Sequence, residues 1–117
     1  MTQKGKPREG HCYELAFKHI MGEEEGTLIH VEVYSFTLGC MIGHALVETE
    51  TGFIYEPVRD QYFPKDWLYE KFKVVEHARY EYEEALAMVC KHGSYGPWDG
   101  ADVKGVKEEV KHGNHTR

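Results

Sequence analysis

Apolar and polar residues alternate along the middle of the chain in the pattern of half-buried β-strands. In residues 27–36, Ile29, Val31 and Val33 alternate with polar and aromatic positions. A β-hairpin follows over residues 42–58, and a glycine-containing turn at 37–41 joins it to the first strand. The pattern therefore predicts a three-stranded antiparallel meander.

Helical periodicity precedes and follows these strands. Positions 12, 15, 16, 19 and 20 fall on one stripe, and Gly22 is a natural end for this first helix. Residues 59–64 are expected to be an irregular connection. Pro64 then suits the start of a short helix over 66–70.

The last third of the chain contains one clear helix, over residues 82–92. Glutamates occupy its first turn, Leu86, Val89 and Cys90 form an apolar stripe, and a glycine at 93 closes it. Residues 73–80 suit either a helix or a strand, and we favour a strand because it would complete the sheet. Residues 94–98 are predicted to be a turn whose aromatic side chains pack back on the body.

A chain of 117 residues fits one domain with a real hydrophobic core. We expect a single α+β domain over residues 1–98, with the first helix packed on an antiparallel sheet. Residues 1–10, which are basic and lack the apolar segment of a secretory signal, are expected to be a flexible tail. Residues 99–117 are polar and Gly-rich and are expected to be a second tail, with transient helix at 103–111.

The predicted hairpin carries His44 on one strand and Glu56 on the next. A two-residue loop would put Glu56 on the face opposite His44. A three-residue loop over 50–52 instead pairs Leu46 with Glu56 and makes Glu56 a diagonal neighbour of His44, about 7 Å between Cβ atoms. Gly52 favours this second register, because that turn ends in a left-handed residue. Glu48 shares the face of His44 but lies about 13 Å along the strand, too far to orient the ring.

A nucleophile for this pair is available at the start of the chain. Cys12 stands in the first turn of the first helix, on the stripe that faces the sheet. Free backbone amides and the helix dipole at that position favour a thiolate. The three residues Cys12, His44 and Glu56 therefore form a candidate catalytic triad.

The residues Gly43-His44-Ala45-Leu46-Val47-Glu48, then Gly52, then Tyr55-Glu56-Pro57 carry a resemblance to a known family. They resemble the transglutaminase-like branch of the papain-like cysteine enzymes, whose members show a His-Ala-Trp-Val-Glu strand, a glycine turn and a second strand that ends in Asp-Pro. The resemblance covers residues 10–58. It implies Cys12 as nucleophile, His44 as base, Glu56 as the group that orients the base, and a papain-like core.

The net charge and the cysteine content limit the classes of partner and the cellular compartment that we expect. A net charge of −6 disfavours a nucleic-acid binder, and no apolar run is long enough to span a membrane. Three cysteines without paired spacing argue against a disulfide framework and for a reducing, cytoplasmic compartment. We expect a protein or peptide substrate, no cofactor, no nucleic acid and no membrane, and the oligomeric state stays open.

Structural roles remain open for several of these residues. Cys40 and Cys90 are interpreted as core positions, because free cysteine packs like a small hydrophobe, and Cys12 could be one too. His30 and His77 are interpreted as satisfied structural histidines. His11, Cys12 and His44 could converge on a metal ion, although the spacing of a zinc site is missing.

With a functional triad, the predicted chemistry is acyl transfer at an amide. Cys12 attacks the carbonyl, His44 moves the proton, and Glu56 fixes the imidazole tautomer. The Cys12 backbone amide is a natural oxyanion donor, with His11 and Tyr13 as candidates for a second. The alternatives are a non-catalytic binding or inhibitor protein, with Trp67, Tyr69, Tyr95 and Trp98 as possible contact residues, and a zinc-dependent hydrolase.

Overall fold

The computed structural model describes residues 10–98 and the backbone of residues 108–109. Within these residues the chain forms three helices and seven strands. In chain order they are α1 (Cys12–Glu23), β1 (Thr27–Ser35), β2 (Cys40–Glu48), β3 (Phe53–Glu56), β4 (Gln61–Pro64), α2 (Lys65–Lys71), β5 (Val75–Glu81), α3 (Tyr82–His92), β6 (Ser94–Gly96) and β7 (Glu108–Glu109).

The first five strands form one antiparallel sheet in the order β4-β3-β2-β1-β5. The predicted meander of β1, β2 and β3 is confirmed, and so is the strand after α2, which pairs with β1 as β5. A bulge between His30 and Val31 shifts the register between β1 and β5. The chain is therefore α+β, with an N-terminal helix on a five-stranded antiparallel sheet.

Three segments differ from the sequence-based expectation. One is 94–96, which was expected to belong to a turn and forms β6. Residues 61–64, expected to be irregular, form β4 and pair with the whole of β3. Residues 108–109, expected to be transiently helical, form a strand that pairs with β6. The other residues of the two expected tails, 1–9, 99–107 and 110–117, lie outside the described residues.

The two faces of the sheet each bury an apolar cluster. The stripe of α1 that forms the first face contains Tyr13 and Phe17 in place of the expected positions 15 and 19, and it packs on Leu28 of β1 and on Ala45 and Val47 of β2. The opposite face is covered by α2, whose Leu68 packs on Ile29, Leu46 and Ile54. Alternation along β2 thus separates Ala45 and Val47 from Leu46, as the pleat requires.

The bounds of α3 are those expected, but its buried stripe is not. Ala85 is fully buried, with Met88 and Val89 packed beside it, whereas Leu86 is 42% exposed and Cys90 is exposed. The stripe 85, 88, 89 is rotated by one residue from the expected one and brings the smallest side chain against the sheet. Cys40 is also exposed, because it begins β2 next to the turn. The interpretation of Cys40 and Cys90 as core residues was therefore wrong.

The aromatics after α3 pack on the body, as expected. Tyr95 contacts Phe17 of α1 with ring centroids 5.6 Å apart. Trp98 packs on His30 at 4.9 Å and donates its indole N–H to the Ser94 carbonyl at 2.8 Å. Of the helices in residues 10–98, none is long and apolar enough to cross a membrane.

Candidate active site

The β2–β3 hairpin adopts the three-residue register. Val47 faces Tyr55 and Glu48 faces Ile54, and the Thr49 N–H donates to the Phe53 carbonyl at 2.8 Å. Gly52 has φ +91°, the left-handed conformation that this turn needs at its last position. The predicted register is confirmed, and it places Glu56 on the same face as His44.

His44 and Glu56 are in direct contact. The His44 Nε2 atom lies 2.5 Å from the Glu56 Oε2 atom, and the Glu56 side chain is only 2% exposed. Its other oxygen, Oε1, accepts the backbone N–H of Arg59 at 2.7 Å and faces the Arg59 guanidinium at 3.4 Å. Both carboxylate oxygens are therefore occupied, and the rotamer that reaches His44 is fixed.

Cys12 completes the line from the other side of the imidazole. It is the first residue of α1, is 7% exposed, and its sulfur lies close enough to the imidazole to act on the pKa of His44. Since Glu56 occupies Nε2, Nδ1 is the ring nitrogen left for the sulfur. The structure thus brings together all three residues that the sequence analysis selected.

The meeting of Cys12 and His44 depends on an unpaired stretch of strand. The rest of the α1 stripe packs on the face that carries Ala45 and Val47, whereas His44 points to the opposite face with Leu46. β3 ends at Glu56, so among the described residues β2 has no strand partner beside its first half on that side. The start of α1 reaches the imidazole at this open edge.

The electrostatics of the site favour a charged imidazole. Burial by itself lowers the pKa of His44, but the negative Cys12 sulfur and the Glu56 carboxylate outweigh it and raise the pKa to about 10. For Glu56, burial opposes ionisation, yet the His44 ring and the Arg59 groups hold its pKa below the usual value. A charged imidazole in contact with a carboxylate is therefore the favoured state of the His44–Glu56 pair.

The start of α1 supplies backbone donors next to the sulfur. No side chain caps this end of the helix, and the first helical bond is made by Leu15 to the His11 carbonyl at 2.9 Å. The Cys12 amide belongs to the first turn, where N–H groups have no intrahelical acceptor. His11 faces the Glu14 carboxylate at 3.6 Å, and the Tyr13 ring packs edge-on against His30 at 4.9 Å. Neither side chain is directed at the sulfur by these contacts.

A cavity of about 680 Å³ opens beside the three residues. Cys12, His44 and Glu56 lie in its wall, and most of the remaining lining is apolar. It comes from β1, β2 and α2 and from the segments next to α1 and after β1, β3 and α2. The sequence analysis missed this part of the site, including Arg59, Leu68 and Phe72. The one available signal was that Arg59 follows Glu56 by three residues. At this spacing a turn can bring the Arg59 backbone amide back to the Glu56 carboxylate.

The other polar candidates lie elsewhere. Glu48 does not reach His44 and instead pairs with Arg79 and with Lys65, at 3.4 Å in the second case. His77 faces Glu32 at 3.4 Å. Among the described residues, no group of three or more histidine, cysteine, aspartate or glutamate side chains is arranged to hold a metal ion.

His30 is buried but not satisfied, contrary to expectation. It is fully buried between the rings of Tyr13, Tyr80 and Trp98, and neither ring nitrogen has a hydrogen-bond partner among the described residues. Burial lowers its pKa to about 3, so the ring is neutral. Gly96 lies against it, since a Cβ there would be 2.5 Å from the His30 Cε1 atom.

The chain matches no family model, no curated protein and no solved structure.

Proposed function

We propose that this protein is a thiol-dependent acyl-transfer enzyme that acts on amide bonds through Cys12, His44 and Glu56, on a papain-like, transglutaminase-like core. The observation that carries the proposal is the continuous line of thiol, imidazole and carboxylate, with 2.5 Å between His44 Nε2 and Glu56 Oε2, in the wall of a cavity. The arrangement of a cysteine at a helix start against a histidine and a carboxylate on paired strands agrees with the resemblance of residues 10–58.

In the first half of the reaction, the Cys12 thiolate attacks the carbonyl carbon of the amide and forms a C–S bond. The carbonyl oxygen takes the negative charge, and the Cys12 backbone N–H is a donor for it. The imidazolium of His44 gives its proton to the amide nitrogen as the C–N bond breaks. The products are a thioester on Cys12 and a free amine.

In the second half, an acceptor attacks the thioester while neutral His44 takes its proton. The C–S bond breaks, and the thiolate–imidazolium pair is restored. Water as acceptor makes the protein a protease, amidase or deamidase, and an amine makes it a transferase. Glu56 holds the ring in one orientation and stabilises its charged form in both halves.

The test is the alkylation of each cysteine by iodoacetamide at pH 6, followed by mass spectrometry. An ordinary thiol, with a pKa of about 8.5, is almost fully protonated at this pH and reacts slowly. We expect Cys12 to react at least about tenfold faster than Cys40 and Cys90, although it is the buried one of the three.

The His44→Ala variant decides whether the imidazole is responsible. Loss of the advantage at Cys12, with unchanged alkylation of Cys40 and Cys90, supports the proposal. The two exposed cysteines serve as internal references for the reactivity of an accessible thiol in each sample. If Cys12 is inert in the wild type, or equally fast without His44, the proposal is wrong.

A further inference from the structure

The cavity beside the three residues has an apolar interior. The side chains that line it include Val33, Ile42, Leu46, Val58, Leu68 and Phe72. Its volume lies in the range of sites that enclose a ligand group rather than a single water. An apolar side chain of a bound molecule would gain stability here by leaving water.

Two cations lie against aromatic side chains that line this cavity, Phe36 and Phe72. The Arg59 guanidinium lies 4.9 Å from the centre of the Phe72 ring, and the Lys71 ammonium lies 5.8 Å from it. Lys71 also lies 5.8 Å from the Phe36 ring and 5.7 Å from the Trp67 ring. Ring contacts hold both side chains in place without neutralising them.

The charges beside these rings are not balanced by the residues around them. The Cys12 thiolate, the His44 imidazolium, Glu56 and Arg59 sum to zero. Within residues 10–98, Lys71 forms no ion pair with a carboxylate, so its positive charge is not neutralised where it lies beside the Phe36 and Phe72 rings of the lining. Arg59 is half-exposed and uses one guanidinium nitrogen on Glu56, so it has further N–H donors to offer a ligand. The excess positive charge beside the cavity thus contrasts with the net charge of −6 of the whole chain.

The positions of the sulfur, the apolar lining and the two cations determine how far apart the matching groups of a ligand must be. Glu56 and the His44 ring separate the Arg59 guanidinium from the Cys12 sulfur, and the apolar lining lies beside them. A carboxylate held at Arg59 and Lys71 is therefore several atoms from the carbonyl that the sulfur attacks.

We infer that the cavity binds peptides in which a bulky apolar side chain stands next to an acidic one, with the apolar group inside and the carboxylate held by Arg59 and Lys71. This inference rests on the proposed function, for which such a peptide is the acyl side of the substrate. Its specificity comes from this chain's own residues and does not depend on which acceptor completes the reaction.

The test measures binding in the Cys12→Ala variant, which cannot turn over a substrate. The probes are acetylated tetrapeptide amides that contain Phe next to Glu, in both orders, and the same peptides with Gln in place of Glu. We expect one of the Glu peptides to bind about tenfold more tightly than its Gln counterpart, because charge-assisted hydrogen bonds are stronger than neutral ones.

Variants of Lys71 and Arg59 show whether these two residues cause the preference for Glu over Gln. We expect Lys71→Gln and Arg59→Gln each to reduce the ratio of the two affinities, and the double variant to bring it close to one. Using the ratio cancels any effect of Arg59→Gln on Glu56 itself. Lys71→Glu should reverse the preference towards a peptide with Lys in the acidic position. Lys91→Gln, an exposed lysine on α3 outside the cavity, is the control and should leave the ratio unchanged.

Equal affinities for the Glu and Gln peptides, or a preference that survives the double variant, would overturn this inference. The proposed function is judged separately, by alkylation of Cys12 in the wild type. A Glu preference with an unreactive Cys12 would keep the anion-binding cavity and remove its enzymatic role.

Discussion

At the scale of single residues, the His44 ring has two nitrogens and each has its own partner. Glu56 takes Nε2, which leaves Nδ1 for Cys12. Glutamate reaches across the diagonal between the strands because its side chain is long, and the Arg59 amide then fixes its far oxygen at 2.7 Å. The turn after β3 is thus part of what orients the imidazole.

Replacing Glu56 by glutamine keeps the shape of the side chain and removes its charge. Because the carboxylate favours the charged imidazole, we expect the pKa of His44 to fall in Glu56→Gln. NMR titration of ¹³C-labelled histidine rings measures this directly. Glu48→Gln is the matched control, since Glu48 shares the face of His44 but pairs with Lys65 and Arg79. An unchanged His44 titration in Glu56→Gln would show that the carboxylate does not support the ring.

Sequence reasoning reached Cys12, His44 and Glu56 because local rules fix each of them: a helix start, strand alternation and a glycine turn. It did not reach Arg59 or Phe72. Their roles depend on how the turn after β3 and the end of α2 approach each other, which are contacts between segments with no shared local pattern. The prediction that Cys90 is buried was wrong for the same reason, since the elements that pack on α3 decide which of its sides is covered.

At the scale of elements, the β2–β3 hairpin carries two of the three site residues, and its turn sets their register. A left-handed conformation is costly for every residue with a Cβ except in a few favourable cases. Gly52 adopts it at φ +91°, in a place where a Cβ would meet nothing within 4 Å. The cost of a side chain there would come from the backbone alone.

Two glycine-to-alanine changes with open surroundings should have opposite signs. Gly52→Ala forces alanine into the left-handed region and should lower the free energy of unfolding by about 1 to 2 kcal/mol. Gly22→Ala lies within α1, also with nothing near its Cβ, and should raise it by about 0.5 to 1 kcal/mol. Urea unfolding of both variants against the wild type measures the difference. A stabilising Gly52→Ala would contradict the turn described here.

The elements that the sequence predicted well are those with strong local signals, α1, α3, β1 and the hairpin. β4 was missed because it has four residues, ends in proline and shows no alternation. It forms because all four of its residues pair with β3, and such pairing between strands cannot be read from the local sequence pattern. The stripe of α3 was placed one residue off because 86, 89, 90 and 85, 88, 89 are equally helical spacings.

At the scale of the whole molecule, two buried histidines of opposite character control the response to pH. The pKa of His30 is lowered to about 3, and that of His44 is raised to about 10, from an ordinary value of 6.5. Between pH 6.5 and about 3 the unfolded chain binds a proton that folded His30 refuses, so stability falls as the pH falls. Between pH 6.5 and about 10 folded His44 keeps a proton that the unfolded chain releases, so stability falls as the pH rises.

The contribution of His30 to the free energy of unfolding should therefore fall as the pH falls below 6.5, and the contribution of the His44 ring should fall as the pH rises above 6.5. His30→Leu should flatten the acid side, by up to about 1.4 kcal/mol per pH unit, while the alkaline side remains. The rings that contact His30 are those of Tyr13, Tyr80 and Trp98, so no carboxylate or cationic side chain is among its ring contacts in the described residues. Urea unfolding at a series of pH values checks the slope, which is independent of any constant loss from the smaller side chain. An acid slope unaltered in His30→Leu would refute the assignment.

The short outer strands of the sheet affect how molecules of this protein meet one another. β4 is one edge, only four residues long and closed by Pro64, which has no N–H to offer a further strand. β5 is the other edge, bent by the bulge opposite His30 and carrying Glu76, Arg79 and Glu81. Short, bulged, charged or proline-ended edges are poor templates for strand addition between molecules. The sheet is thus protected against edge-to-edge aggregation at both ends, even though its centre is strongly apolar.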